Sequence, residues 1–381
     1  MVKDLDFSLI RPYEDHEVHA VVERLKNEKT FLELVSFLYP AYSIDLFLEK
    51  LTSIRTVREF QSEIVYPYMM KVLEHTTEGI TLEGTEKLDP KQGYLFISNH
   101  RDIILDSGIL NIMFVDKGLE TTEIAIGDNL LIFLWITDLV KLNRSFVVRR
   151  NLPGRQMIES SMLLSQYIRH TITQKGRGIW IAQREGRSKD GDDRTQASLL
   201  KMLNMSGSGD FAADFRELKI VPLSVSYELD PCDHLKAYQF QLKRDKPDYQ
   251  KSKGEDLHHM GAGLRGRKGR VHFTIGTPID AEIDAIAAIE GRNEQLQALA
   301  ETIDRQIHAN YKLWPGNFVA CDLLEPDKNE FADQYTAAEK EKFVNYLNEH
   351  ISRVKNPDHD FMFRVMLEMY ANPVRNFYKK S

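Results

Sequence analysis

Hydrophobic positions change rhythm partway along the 381 residues. Up to about residue 80 they recur every three or four positions. Residues 15–27 are charged and periodic, and Phe31-Leu-Glu-Leu-Val-Ser-Phe-Leu38 and residues 44–51 follow, with Pro40 between them. That spacing predicts helices, because 3.6 residues per turn brings such positions onto one face. After the turn-rich Lys87-Leu-Asp-Pro-Lys-Gln-Gly93, short unbroken apolar runs alternate with longer periodic ones. Strands are predicted at 94–98, 123–126, 145–148, 178–182, 219–227 and 270–275, and helices at 103–114, 130–140 and 156–173. Alternation of this kind predicts an α/β fold: a mostly parallel central sheet flanked by helices, with an N-terminal helical segment and a C-terminal helical cap. The expected division is 1–85 helical, 86–312 α/β, and 313–381 helical. Residues 236–270, polar and rich in Lys, Gly and His, are expected to form an inserted surface loop.

Composition narrows the field. A net charge of −7 disfavours a nucleic-acid partner. Cys232 and Cys321 have neither disulfide-framework nor zinc spacing, which fits a reducing, cytoplasmic setting. The opening Met1-Val-Lys-Asp-Leu-Asp6 lacks the basic-then-apolar design of a signal peptide. Leu130-Leu-Ile-Phe-Leu-Trp-Ile136 falls far short of the roughly 20 apolar residues that span a bilayer. The stretch 31–51 is interrupted by Glu33, Pro40, Asp45 and Glu49, so amphipathic helices on the protein's own core are expected, with peripheral membrane contact as the second reading. Gly261-Ala-Gly-Leu-Arg-Gly-Arg-Lys-Gly-Arg270 lacks both the preceding strand and the Lys-Ser/Thr ending of a nucleotide loop.

Four blocks carry candidate chemistry. His100-Arg-Asp-Ile-Ile-Leu-Asp106 follows the predicted strand 94–98 and supplies an imidazole with two carboxylates, Asp102 and Asp106. A base and an acid that orients it are what the deprotonation of a weak nucleophile requires. Arg144-Ser-Phe-Val-Val-Arg-Arg150 ends a strand in two guanidinium groups, Arg149 and Arg150, and Gly178-Ile-Trp-Ile-Ala-Gln-Arg-Glu-Gly-Arg-Ser188 delivers Glu185, Gly186, Arg187 and Ser188 into a turn. The fourth block, Ile220-Val-Pro-Leu-Ser-Val-Ser-Tyr227, is an apolar strand. Any one arginine is better explained by a structural ion pair. Several at the ends of neighbouring strands favour an anion site, since the guanidinium fork binds phosphate oxygens in pairs.

In this order the blocks resemble the glycerolipid acyltransferase family, which includes the bacterial glycerol-3-phosphate and 1-acylglycerol-3-phosphate acyltransferases. The resemblance covers about residues 90 to 230, through Asn99-His100, Phe146 to Arg149 or Arg150, Glu185-Gly-Arg-Ser188 and Val221-Pro-Leu223. It implies transfer of an acyl group from acyl carrier protein or acyl-CoA to a glycerol-phosphate or lysolipid hydroxyl, in phospholipid biosynthesis, with no further cofactor. His100 becomes the general base. The family's aspartate falls five residues after its histidine, where this chain has Leu105; the carboxylate is assigned to Asp106, with Asp102 as the alternative. Arg149, Arg150 and Arg187 are implied to hold the acceptor phosphate, Gly186 to lie beside the oxyanion, Glu185 to bind a hydroxyl or lock an arginine, and Ser188 to join them in binding the substrate. The chain departs from the family in reading Glu-Gly-Arg without an intervening residue and in lacking the glycine that opens the second block. Arg149-Arg150 and Tyr370-Ala-Asn-Pro-Val374 are similar to the glycerol-3-phosphate enzymes, whereas the length and short blocks fit the lysophosphatidate enzymes equally. Delivery of a long-chain product implies a peripheral place on the inner face of the membrane. Competing readings are a metal-dependent phosphoesterase with His100, Asp102 and Asp106 as ligands, joined by His170, His234, His258 or His259, and a non-catalytic lipid-binding protein.

Overall fold

A computed structural model describes residues 6–38, 43–252 and 254–379. The expected break at Pro40 lies outside these residues. Seven strands among them form one sheet: β1 (Thr77–Glu83), β2 (Leu95–Ser98), β3 (Glu123–Gly127), β4 (Ser145–Val148), β5 (Ile179–Ala182), β6 (Ile220–Tyr227) and β7 (Gly269–Ile275), in the order β1-β7-β6-β2-β5-β3-β4. Neighbours run parallel except β6 and β7, which are antiparallel. The fold is α/β, with helices on both faces of the sheet.

Covered faces explain why the central strands read as unbroken apolar runs. On β2 the alternation of side chains sends Leu95 and Ile97 to one side, where they join Phe146 of β4 and Tyr167 and Ile168 of the helix Gly154–Thr173. Phe96 goes to the other side, with Leu105, Ile109 and Phe114 of the helix Leu105–Asp116. Ser98 of β2 stands opposite Ala182 of β5 and Leu223 of β6, and Gly127 of β3 opposite Val148 of β4. The loops that begin at residues 99, 183, 128 and 149 therefore leave the sheet along one edge, the carboxyl edge where α/β sheets gather ligands.

Two expectations are corrected. Residues 77–83, inside the segment read as helical, form edge strand β1 paired to β7. Its half-exposed pattern leaves Ile80 and Leu82 as its apolar contributions to the core, too few to announce a strand. The presumed surface loop at 236–270 instead contains two helices, Asp233–Asp245 and Glu255–Arg265, before running into β7. Their inward faces carry polar groups such as His234, Lys236, Gln239 and His259, so a hydrophobic pattern does not reveal them.

The N-terminal helices Asp15–Leu25, Lys29–Leu38 and Ile44–Ser53 turn Val18, Val22, Phe31, Phe47 and Leu51 onto one another and onto Leu142. Helices Pro315–Leu324, Ala337–Ser352 and His359–Tyr378 build a separate C-terminal core that includes Ala237. No helix among the described residues is long and apolar enough to cross a membrane.

Candidate active site

His100 lies two residues beyond β2, in the loop that ends in the helix Leu105–Asp116. Asn99 fixes the start of this loop. Its side-chain amide donates to the Val225 carbonyl and its carbonyl accepts from the Val225 amide, each at 2.8 Å, extending the β2–β6 pairing through a side chain. Ser188 N donates to the His100 carbonyl at 2.8 Å, tying the third block to the first.

The His100 ring meets Asp106, with Nδ1 and Oδ2 2.7 Å apart. Oδ2 also accepts from the amides of Arg101 (2.6 Å) and Asp102 (3.0 Å). Asp106 is wholly buried, so this carboxylate takes its stabilisation from these donors and not from water. With Nδ1 held as the donor, Nε2 is the lone-pair nitrogen, and the ring forms part of a cavity wall. Trp180 of β5 packs its edge against the imidazole at 5.4 Å between centroids.

Asp102 has a different job. Its Oδ1 accepts from the amides of Ile104 (2.9 Å) and Leu105 (2.8 Å), capping the helix that carries Asp106. Burial, and then the neighbouring Asp106 carboxylate, raise the Asp102 carboxyl above its usual range. Gly263 of the helix Glu255–Arg265 packs against it; a Cβ there would stand 2.1 Å from Asp102 Oδ2, so only glycine fits.

The cavity measures about 1450 Å³. Part of its wall is apolar, including Met69, Ile103, Leu139, Leu164 and Met202, and part is cationic, with Arg149, Arg150, Arg187 and Lys189. Arg149 is exposed, while Arg150 is half-buried and pairs with Glu185 at 3.4 Å. Glu185 itself is exposed at the cavity rim. Gly186 adopts φ +72° with open space beside its Cα, as a tight turn facing the cavity requires. The Glu185 amide is already taken by Gln196 Oε1 at 3.0 Å, which leaves the amides of Gly186 and Arg187 as the candidates for an oxyanion. Ser188 is buried and does not line the cavity; its hydroxyl accepts from Gly191 N at 3.2 Å and shapes the turn.

Arg187 is 6% exposed, and its Nη2 lies 2.6 Å from His259 Nδ1. A guanidinium only donates, so the imidazole accepts and must be neutral. Burial first, and then the Arg187 charge, push His259 down to about 2. Arg187 Nη1 is buried without a partner. Lys189 is pushed down to about 8 by burial and then by Lys243, Lys251 and Arg187. Lys189 was missed by sequence reasoning, His259 was named only as a possible metal ligand and not as an acceptor for Arg187, and Tyr227 was given no role of its own. Tyr227 alone left a trace, as the last of the alternating inward residues Val221, Leu223, Val225 and Tyr227 on β6.

A second buried network anchors the loop from behind. Arg101 pairs with Asp193 at 2.6 Å. Fully buried Lys236 pairs with Asp230 and donates to the Arg101 carbonyl at 2.9 Å. Three residues earlier Asp233 accepts from His350 Nδ1 (2.6 Å), the Tyr370 hydroxyl (2.8 Å) and His234 N (2.6 Å). Burial opposes ionisation of Asp233, but the hydrogen bonds from His234 and His350 outweigh it and hold the carboxyl below its usual range. Asp233, His234 and His350 are the residues of metal-ligating type that converge among the described residues, a group that excludes His100. The ligand set needed for a phosphoesterase at His100, Asp102 and Asp106 is therefore not assembled: His259 serves Arg187 and His234 serves Asp233.

Residues 79–226 match the acyltransferase family. No curated protein matches the chain. Among solved structures, the 1-acyl-sn-glycerophosphate (LPA) acyltransferase PlsC from Thermotoga maritima is similar at 11% identity over 77% of this chain and 96% of that chain, with a TM-score of 0.40. The matched segment holds β2 to β5, nearly all of β6, and the blocks that surround the cavity.

Proposed function

We propose that the protein transfers a fatty acyl group from a thioester carrier, acyl carrier protein or coenzyme A, to a hydroxyl of glycerol 3-phosphate or 1-acylglycerol 3-phosphate. The observation that carries this reading is His100, bonded to buried Asp106 at 2.7 Å and set in the wall of a cavity with both an apolar and a cationic lining. An alcohol is a poor nucleophile at neutral pH. His100 Nε2 takes the hydroxyl proton as the oxygen attacks the thioester carbonyl, and Asp106 stabilises the imidazolium that results. The tetrahedral oxyanion then collapses: an ester bond forms, the carbon–sulfur bond breaks, and the imidazolium returns its proton to the departing thiolate. The attacking oxygen is the acceptor's own, so no protein nucleophile is needed. The Gly186 and Arg187 amides, in the cavity lining, are the proposed donors to the oxyanion.

Arg149, Arg150 and Arg187 hold the acceptor phosphate, with Glu185 fixing Arg150. The apolar side of the cavity takes the acyl chain. Since the N-terminal helices turn their apolar residues onto one another, the membrane contact is better assigned to the β3–β4 end of the cavity. There Leu134 is 87% exposed and Phe133 47%, beside lining residues Leu130 and Trp135 and the exposed Arg149. The proposed location is peripheral, on the inner face of the membrane in the cytoplasm, and the exposed Leu134 and Phe133 support it.

The decisive experiment incubates the purified protein with palmitoyl-CoA or palmitoyl-acyl carrier protein and a panel of acceptors, and identifies the product by mass. An ester of glycerol 3-phosphate or of its 1-acyl derivative is expected, and His100→Ala is expected to lose about 100- to 10,000-fold in turnover while keeping its melting temperature. Unchanged turnover in that variant would remove His100 from the chemistry.

A further inference from the structure

Asp106 Oδ2 is crowded with three donors, whereas Asp106 Oδ1 is buried with no hydrogen-bond partner. The Tyr227 hydroxyl is likewise buried and makes no hydrogen bond of ordinary geometry, although it lies near enough to Asp106 for that carboxylate to act on it. An orphaned acceptor in a closed interior is rare, and an orphaned donor beside it is rarer, because each forfeits its hydration without recompense. The two belong to one packing unit. Tyr227 ends β6, its ring lies in the cluster that contains Leu105, and the two hydrogen bonds between Asn99 and Val225 clamp this end of β6 to the His100 loop.

From these two orphans we infer that Tyr227 is a positioning residue of the His100–Asp106 pair, its hydroxyl donating to Asp106 Oδ1 in the working enzyme. The inference rests on the proposed role of His100. Burial, and then the Asp106 and Asp102 carboxylates, hold the Tyr227 phenol well above its ordinary pKa, so it keeps its proton across the working pH range. A carboxylate anchored at one oxygen can pivot about it. A donor on the other oxygen fixes its plane, keeps Oδ2 aimed at Nδ1, and withdraws charge from the carboxylate, which lowers the basicity of the imidazole.

Tyr227→Phe removes the hydroxyl and keeps the ring. In the acyl-transfer assay kcat is expected to fall about tenfold, with the KM values for donor and acceptor little changed, as for the loss of one charge-assisted hydrogen bond at the transition state. The acid limb of the kcat–pH profile should move upward, because Asp106 without its second donor holds the imidazolium more tightly. Incorporation of 3-fluorotyrosine at position 227, which keeps the fold and strengthens the donor, should move that limb downward. NMR titration of the His100 ring in the substrate-free protein reads the same shifts without any reaction. It therefore separates a failure here from a failure of the catalytic assignment. Opposite displacements in the two variants would support the pairing. Identical His100 titrations in wild type, the Phe variant and the fluorotyrosine protein would overturn it.

Discussion

His259→Gln turns the Arg187–His259 contact into a stability measurement. Glutamine offers Arg187 Nη2 an acceptor oxygen but has no proton to gain. In the folded wild type His259 stays neutral down to about 2, whereas in the unfolded chain an imidazole takes up a proton near 6.5. Between those values the unfolded state binds more protons, so stability falls as pH falls below 6.5. The slope is about 1.4 kcal/mol per pH unit, giving about 1.4 kcal/mol lost by pH 5.5 and about 2.7 by pH 4.5. This window lies well above the folded value, so the magnitude follows from the unfolded pKa and from His259 remaining neutral. Urea melts of wild type and His259→Gln at pH 7.5, 6.5, 5.5 and 4.5 cancel every other titrating group. The wild-type curve should drop away from the variant's by those amounts. Parallel curves across the series would refute a neutral His259, and with it the view that Arg187 is held by an acceptor at its back.

Four further outcomes are expected. Asp106→Asn should cut turnover by about three to four orders of magnitude. Asp102→Asn, which keeps the cap, should leave turnover within a few-fold, and Asp102→Ala should cost about 1 kcal/mol in chemical denaturation. Sulfate, whose charge is constant from pH 7 to 10, should bind the cavity more weakly as pH rises through about 8, where Lys189 loses its proton, and calorimetry should show a flatter profile for Lys189→Gln. Leu134→Asp should reduce co-sedimentation with phosphatidylglycerol vesicles about 10- to 100-fold, the worth of one leucine side chain leaving water; equal binding would place the membrane contact elsewhere.

The parts of the chain that were legible were those whose side chains face one kind of neighbour. β2, β5 and β6 are buried on both faces and wrote themselves as apolar runs, and the helix Gly154–Thr173 showed its period. β1 is an edge strand with Glu78, Gly79, Thr81 and Glu83 among its seven residues, and it was absorbed into the helical segment before it. The helix Asp233–Asp245 was hidden because what it buries is charge: Lys236 against Asp230, and Asp233 against two histidines. The first and third blocks declared His100, Asp106 and Arg187 through residue type and spacing. No spacing could declare which aspartate met the ring. That follows from Asp102 lying before the first helical turn, where its oxygen is spent on the amides of Ile104 and Leu105, and Asp106 lying inside it. Ser188, by the same logic of type and position, was expected beside the substrate, but its hydroxyl faces the turn of Gly191.

The Asp233 network bears on how the molecule comes apart. The helices Ala337–Ser352 and His359–Tyr378 contribute His350 and Tyr370 to a carboxylate that belongs to the helix touching the His100 loop. Peeling those helices away would take two donors from Asp233 and bare the apolar core that Ala237 shares with them. An intermediate with the C-terminal helices unfolded and the sheet intact is therefore disfavoured, and the two regions are expected to melt together.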